Sequence, residues 1–559
     1  MTTRPRGARQ RWRVLAASAI ALGGVLVSPS QGDATVTPAG DSASSRVIVQ
    51  TADGSLTDVV SAAKKLGAQV VSTQASLDTV VVDLPTNRLD DLRLVPGVDA
   101  ATRDTRVHLN SVPSVTGSPG DISNVAVETG ATDYWKDGYF GQGVDVALLD
   151  SGVLPINGLM TPNKLVIGPD LSRESQSPSL SGLDTFGHGT HMAGIIGGLD
   201  TGQTPGSSMN SPDHFVGMAP ASRIVSIKLA DAHGQTDVSQ VVAGIGWVID
   251  HAHDKGMNIR VLNLSFGTEP AKDGRLDPLE HAAEVAWSRG IVVVVSAGNG
   301  GAEDDGLASP ALSTDVLAVG SQDTKGTTDT GDDTVASFSK RGNTGKGERG
   351  PDIVAPGVSL VSLRAPGSYI DQTQPQGRVG ERFFKGSGTS QSAAVVSGAA
   401  ALMLSQRPQL TPDQVRDALR KSARSLDGVS HDAQGAGALD LSAAQDQVAQ
   451  MKPGRSAGHK DSNRSLTKNQ QNNGRWSRAD DAWEGSLADG AYWDGATWAG
   501  ATWAGATWAG ATWASDDWDG ATWAGATWAG ATWAGATWAG ATWAGTTWAD
   551  RDWSSAGWE

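Results

Sequence analysis

Three short stretches bring together residue types able to cleave an acyl bond. Leu148-Leu149-Asp150-Ser151-Gly152 ends an apolar run with a carboxylate, and Gly187-His188-Gly189-Thr190-His191 carries an imidazole between two glycines. The third, Gly386-Ser387-Gly388-Thr389-Ser390, sets a hydroxyl before a run of small residues. A serine hydroxyl is a poor nucleophile at neutral pH. It needs a neutral imidazole in hydrogen-bond reach to take its proton, and a carboxylate to orient that imidazole and favour its charged form. Each stretch also has an ordinary reading: Asp before Ser-Gly makes a turn, His between glycines sits in a loop, and Ser after Gly-Thr caps a helix. With no cysteine anywhere, thiol nucleophiles, disulfides and cysteine-ligated metals are excluded.

The elements around these residues read as one large α/β domain between about residues 121 and 449. Asp145–Leu149 and Ile291–Ser296 are Val-rich apolar runs of the kind buried on both faces of a parallel sheet. Val238–His253, Leu279–Arg289 and Ser390–Gln406 have helical length and spacing, and Thr411-Pro412-Asp413 starts another helix with proline in its first turn. Alternation of the two kinds predicts a doubly wound, mostly parallel sheet. Ahead of it, residues 46–108 predict strands at Val47–Gln50, Gln69–Ser72, Thr79–Leu84 and Val98–Val107, with helices at Ser55–Leu66 and Asn87–Val95. This βαββαβ order builds a small α+β, ferredoxin-like domain.

Taken together, in the order Asp, His, Ser, the three motifs resemble those of the subtilisin-like serine peptidases, over about 330 residues. The resemblance implies a subtilisin-like fold, with Asp150, His188 and Ser390 as the catalytic triad, and Asn299, after Ser296-Ala297-Gly298, as the oxyanion-hole side chain. The first backbone N–H groups of the helix at Ser390 would supply the other half of that hole. Leu262-Asn263-Leu264-Ser265-Phe266-Gly267 is similar to the family segment whose edge pairs with an extended peptide, which makes Ser265, Phe266 and Gly267 candidate substrate contacts. An ordinary core strand is the competing reading there. The sequence departs from the family pattern after Ser390, where Gln391-Ser392-Ala393-Ala394 lacks the common proline. It departs again after Gly198, where the usual calcium loop is replaced by a Gly-, Ser- and Pro-rich stretch. No cofactor is assigned; calcium stays open, with Glu303-Asp304-Asp305 and Asp329 to Asp333 as acidic stretches able to ligate a hard cation. His191, Trp247 and Trp287 are expected to pack rather than react.

Residues 1–34 read as a secretory signal peptide: five arginines, then an apolar run from Val14 to Val27 whose 14 residues fall short of the ~20 a bilayer needs. A secreted, extracellular protein follows. The domain at 46–108 stands where subtilisin-like enzymes carry an inhibitory propeptide, so the resemblance implies a self-processed zymogen cut near His108 to Thr116. Residues 450–482 read as a flexible linker. Residues 483–559 are a tail in which Trp recurs at every fifth position from Trp493 to Trp558 and Ala-Thr-Trp-Ala-Gly occurs intact eight times. Period five suits neither a helix face nor a strand face. Stacking platforms for sugars or cell-envelope polymers are one expectation for it, disorder another. The net charge of −16 argues against nucleic acid as a partner. Polypeptide substrates are the expected partners, and an inactive scaffold whose tail binds is the rival reading.

Overall fold

The computed structural model of the chain describes residues 44–109, 120–205, 214–268, 277–302, 306–343 and 349–452. The signal-type segment, Glu303–Asp305, most of the linker and the Trp tail therefore lie outside the described residues. The small domain comprises β1 (Ser44–Thr51), α1 (Leu56–Lys65), β2 (Gln69–Gln74), β3 (Thr79–Pro85), α2 (Leu89–Arg93) and β4 (Val98–Arg103). Its antiparallel sheet has the order β2-β3-β1-β4. Period-two alternation explains its two buried faces. Val47, Val49, Val80 and Val82 pack with Val59, Ala63 and Leu92 into the domain's own core. Ile48 and Val81, on the opposite face, join the core of the large domain together with Leu77. The turn carrying Leu77 packs on two helices of the large domain, Val238–His251 and Pro278–Ser288, and the ring of His281 hydrogen-bonds the Leu77 carbonyl at 3.1 Å.

The strand expected over Val98–Val107 breaks in two. After Arg103 the chain turns out to cap a helix of the large domain: Asp104 accepts from Ser239 N and Oγ at 3.1 and 2.6 Å, and the Thr105 carbonyl accepts from Val238 N at 3.0 Å. The remainder becomes β5 (Arg106–His108), which has left the small sheet.

The large domain begins with β6 (Gly120–Asp121), α3 (Ile122–Glu128), α4 (Ala131–Lys136), β7 (Asp145–Asp150), β8 (Leu165–Asp170) and α5 (His188–Gly197). It continues with β9 (Arg223–Lys228), β10 (Gln235–Asp237), α6 (Val238–His251), β11 (Ile259–Leu264), α7 (Pro278–Ser288), β12 (Val292–Ser296), β13 (Leu317–Asp323), β14 (Thr334–Val335), β15 (Ile353–Pro356) and β16 (Leu360–Leu363). Last come α8 (Tyr369–Thr373), β17 (Arg378–Val379), β18 (Phe383–Gly386), α9 (Thr389–Gln406), α10 (Pro412–Ser422), α11 (His431–Gln434) and α12 (Leu441–Gln450). The main sheet runs β8-β9-β7-β11-β12-β13 in parallel, and β13 also pairs with β15 in parallel and with β14 antiparallel. Burial on both faces accounts for the unbroken Val292–Val295 run. Helix α9 is buried almost throughout, because its Ala, Ser and Gly residues let it lie close to β11, β12 and β13. Trp247 and Trp287 are core residues. Among the described residues no helix is long and apolar enough to cross a membrane.

Leu77 joins the core of the large domain and has no exposed surface. Leu77→Ala is expected to cost about 2–5 kcal/mol and to speed trypsin cleavage within residues 44–109 of the full-length Ser390→Ala protein. An unchanged cleavage rate would show that this contact does not hold the small domain.

Candidate active site

Parallel pairing aligns the carboxyl ends of three neighbouring strands. Leu149 of β7 is in register with Leu264 of β11, and Leu264 with Val295 of β12. The next residues along, Asp150 and Ser265, are thus one strand spacing apart, about 4.8 Å, and Asn299 follows β12 after a short turn. On β7, Asp150 accepts the Ser151 N–H at 2.8 Å, and both its carboxylate oxygens lie 2.9 Å from His188 Nδ1. A carboxylate only accepts, so Nδ1 carries the hydrogen, and in the neutral ring Nε2 is the basic nitrogen. Nε2 is buried with no hydrogen-bond partner. His188 opens α5, and glycines flank it for a packing reason. A Cβ at Gly187, whose φ is +107°, would strike the Ser368 side chain, and one at Gly189 would strike the Gly152 carbonyl.

Ser390 is the second residue of α9, which packs against α5. Its hydroxyl donates to the Ser265 carbonyl at 2.9 Å, while Ser265 Oγ donates to Asn263 Oδ1 at 2.7 Å and lies 3.2 Å from the Ser390 carbonyl. The alcohol is therefore docked on the strand beside Asp150, and turning toward His188 means leaving the Ser265 carbonyl. Asn299 Oδ1 accepts from Thr389 N and Thr389 Oγ1, each at 2.9 Å. Because a backbone N–H can only donate, this fixes the amide with its NH2 end turned from Thr389. The Ser390 N–H is among the first four of α9, which have no acceptor within the helix.

A buried serine alcohol, an aspartate-bound imidazole and an anchored amide thus lie at the carboxyl ends of the parallel strands. The model of the subtilase family fits residues 141–437 of the chain. The chain belongs to the subtilase family. It is 37% identical to the serine protease AprX of Bacillus subtilis over 303 residues, which is 54% of this chain and 65% of AprX. It is 30% identical to an alkaline protease of Shouchella clausii over 368 residues, 66% of this chain and 80% of that protein. The crystal structure of fervidolysin from Fervidobacterium pennivorans, described as a keratinolytic enzyme related to subtilisin, has the same fold, with a TM-score of 0.56 at 23% identity. That superposition covers 75% of this chain and 62% of the fervidolysin chain. The chain thus spans a little under two thirds of the length of AprX and of fervidolysin.

Within this subtilase, β5 lies beside the site. It pairs antiparallel with β10, Leu109 N donates to the Gly234 carbonyl at 2.8 Å, and His108 bridges Gly267. Of the three residues expected to contact substrate, Gly267 alone presents such an edge; Ser265 is fully buried behind Ser390 and Phe266 is packed in the core. The opposite wall, Gly234 with β10, escapes sequence reading because nothing local marks it as a partner. Phe186 packs on Gly234, stacks with Tyr369 at 6.1 Å between centroids, and Tyr369 meets His233 edge-on at 5.1 Å. His191 packs as expected, with Nε2 3.1 Å from the Phe384 carbonyl; burial pushes it down to about 4.

Two further supports were missed. Asp184, fully buried, accepts from Gly187 N at 2.6 Å, Thr190 N at 2.8 Å and Ser151 Oγ at 2.8 Å, and Ser151 Oγ accepts from Gly189 N at 3.0 Å. The amide groups that open α5 are held by these two side chains. An acid four residues before the histidine was the available signal. Lys228, also buried, donates to the Ser151 and Leu183 carbonyls at 2.8 and 2.7 Å and pairs with Glu174 at 3.0 Å, which stitches the strand end to the loop before α5. No group of three or more His, Asp or Glu side chains able to hold a metal occurs among the described residues.

Burial opposes a charged His188, but the charge and hydrogen bond of Asp150, helped by Asp184, outweigh it and raise the imidazole above its ordinary value. A base must be neutral to accept a proton, so kcat/KM should fall on acidification with a midpoint above about 6.5. Asp184→Asn, which removes one raising charge, should move that midpoint down. A midpoint that stays put in the variant would show that Asp184 does not act on the imidazole.

Proposed function

We propose that this subtilase is a secreted serine endopeptidase, made as a zymogen and hydrolysing polypeptides through Asp150, His188 and Ser390. The observation that carries the reading is the double contact of Asp150 with His188 Nδ1, which leaves Nε2 as an unpartnered base. Ser390 Oγ leaves the Ser265 carbonyl, gives its proton to Nε2 and bonds to the scissile carbonyl carbon. The resulting oxyanion takes hydrogen bonds from the Ser390 N–H and from Asn299 Nδ2. As the C–N bond breaks, the imidazolium returns the proton to the departing amine, leaving an acyl ester on Ser390. Water then repeats the sequence, losing a proton to Nε2 as it attacks, and frees the acid and the serine.

The domain at 44–109 serves as the inhibitor in this reading. Arg106–Leu109 lies as an added strand between β10 and Gly267, as an extended substrate would. Its side chains alternate, Val107 and Leu109 buried, Arg106 and His108 exposed. The cleft therefore favours peptides with apolar side chains at two positions separated by one residue.

Incubation with casein tests the proposal. Wild-type protein should cut it, Ser390→Ala should not, and Asn299→Ala should lose about 10²–10³ in turnover. Mapped cleavage sites should show the two apolar positions on the acyl side. Casein left intact by wild type would leave the rival reading of a binding scaffold, and casein cut equally by Ser390→Ala would show that Ser390 is not the nucleophile.

A further inference from the structure

The residue that follows Ser390 leaves one of its own polar atoms unanswered. Gln391 has 4% of its surface exposed, and its Oε1 is shielded from water with no hydrogen-bond partner among the described residues. Its backbone N–H is engaged, donating to the Gly388 carbonyl at 3.2 Å in the first turn of α9. A buried acceptor left unpaired costs stability, and a donor brought in by a ligand removes that cost.

Neighbouring glycines show where this oxygen lies. A Cβ on Gly388 would stand 2.8 Å from Gln391 Oε1 and 3.3 Å from Asn299 Nδ2, against 3.7 Å from Asn299 Oδ1. The space that Gly388 leaves empty is therefore bordered by one acceptor and one donor. Thr389 engages Asn299 Oδ1, so Nδ2 is the end of that amide left for the oxyanion. Further back, a Cβ on Gly386 would stand 2.7 Å from Gln391 Nε2 and 3.3 Å from Cε1 of His191. The Gln391 amide thus lies across Gly386 and Gly388, with its nitrogen toward His191 and its oxygen on the side of the oxyanion donor.

Cleaving an amide differs from cleaving an ester in one hydrogen. When Ser390 Oγ bonds to the scissile carbon, that carbon becomes tetrahedral, and its oxygen and nitrogen stand on neighbouring corners. The oxygen takes its hydrogen bonds from Asn299 Nδ2 and the Ser390 N–H. The nitrogen must turn its lone pair to His188 Nε2 while still carrying its own hydrogen. An acceptor for that hydrogen holds the nitrogen in the orientation from which it leaves. We propose that Gln391 Oε1 is this acceptor, which makes Gln391 a catalytic residue for amide bonds and not for esters. The nitrogen lone pair takes the proton from the imidazolium, and the C–N bond breaks with its electrons going to nitrogen while the oxyanion re-forms C=O. The amine then departs with the hydrogen that Gln391 had held. The inference rests on the peptidase reading given above.

The test pairs a peptide spanning a casein cleavage site with its depsipeptide, in which oxygen replaces the scissile N–H and nothing else changes. Both are given to self-processed wild type and to Gln391→Met and Gln391→Leu, apolar variants of similar size that lack the acceptor. Rates are taken per active site, counted from the burst with an activated ester, so that unfolded molecules drop out. In both variants kcat/KM for the peptide should fall about tenfold, as for one lost hydrogen bond to a group gaining charge, while that for the depsipeptide stays within about twofold. Equal losses on the two substrates would make Gln391 a packing residue, and no loss on either would show that the leaving amine does not use it; each result overturns the proposal. Failure of the peptidase reading shows separately, as casein left uncut by wild type.

Discussion

The site depends on the buried contact between Asp150 and His188. Both groups are almost fully enclosed, at 1% and 2% exposure, so the aspartate charge acts across a medium that screens it weakly. It fixes which ring nitrogen holds hydrogen and favours the protonated ring. Everything around the pair serves to keep it dry and oriented: Asp184 and Ser151 hold the start of α5, Lys228 ties the end of β7 to the loop ahead of α5, and the flanking glycines let the backbone come close enough for both.

A parallel sheet explains how side chains distant in sequence meet. Strand register sets the ends of β7, β11 and β12 side by side, so Asp150, Ser265 and the turn to Asn299 arrive at one edge without any local signal between them. Helix α9 then enters from the same edge with Ser390 in its first turn. The same geometry gives a second use to the Ser265 carbonyl, which accepts the Ser390 hydroxyl. The small domain uses the remaining edges, one face of its sheet packing on the core of the large domain while Arg106–Leu109 runs on between β10 and Gly267.

Much of this was legible in the residues. The Val-rich strand runs, the capped start of α10 at Thr411-Pro412 and the alternation of the first 60 residues after Ser44 fix elements by local rules, and, apart from the broken strand over Val98–Val107, the elements appear within about three residues of their expected ends. Asp150, His188, Ser390 and Asn299 were marked out by the resemblance of their motifs to those of the subtilisin-like serine peptidases, since each motif alone also fits an ordinary turn, loop or helix cap. What stayed hidden depends on long-range pairing. The break at Asp104 follows from a helix start 135 residues away, invisible to any window over Val98–Val107. Ser265 reads as a substrate-facing strand edge until the sheet buries it.

The most direct measurement of the central claim is reaction with an activated ester, following release of the leaving group and locating the acyl group by peptide mass spectrometry. The account predicts an initial burst with the label on Ser390 alone, slowed to background in His188→Ala. Label on another residue, or a burst of the same rate without the imidazole, would contradict it.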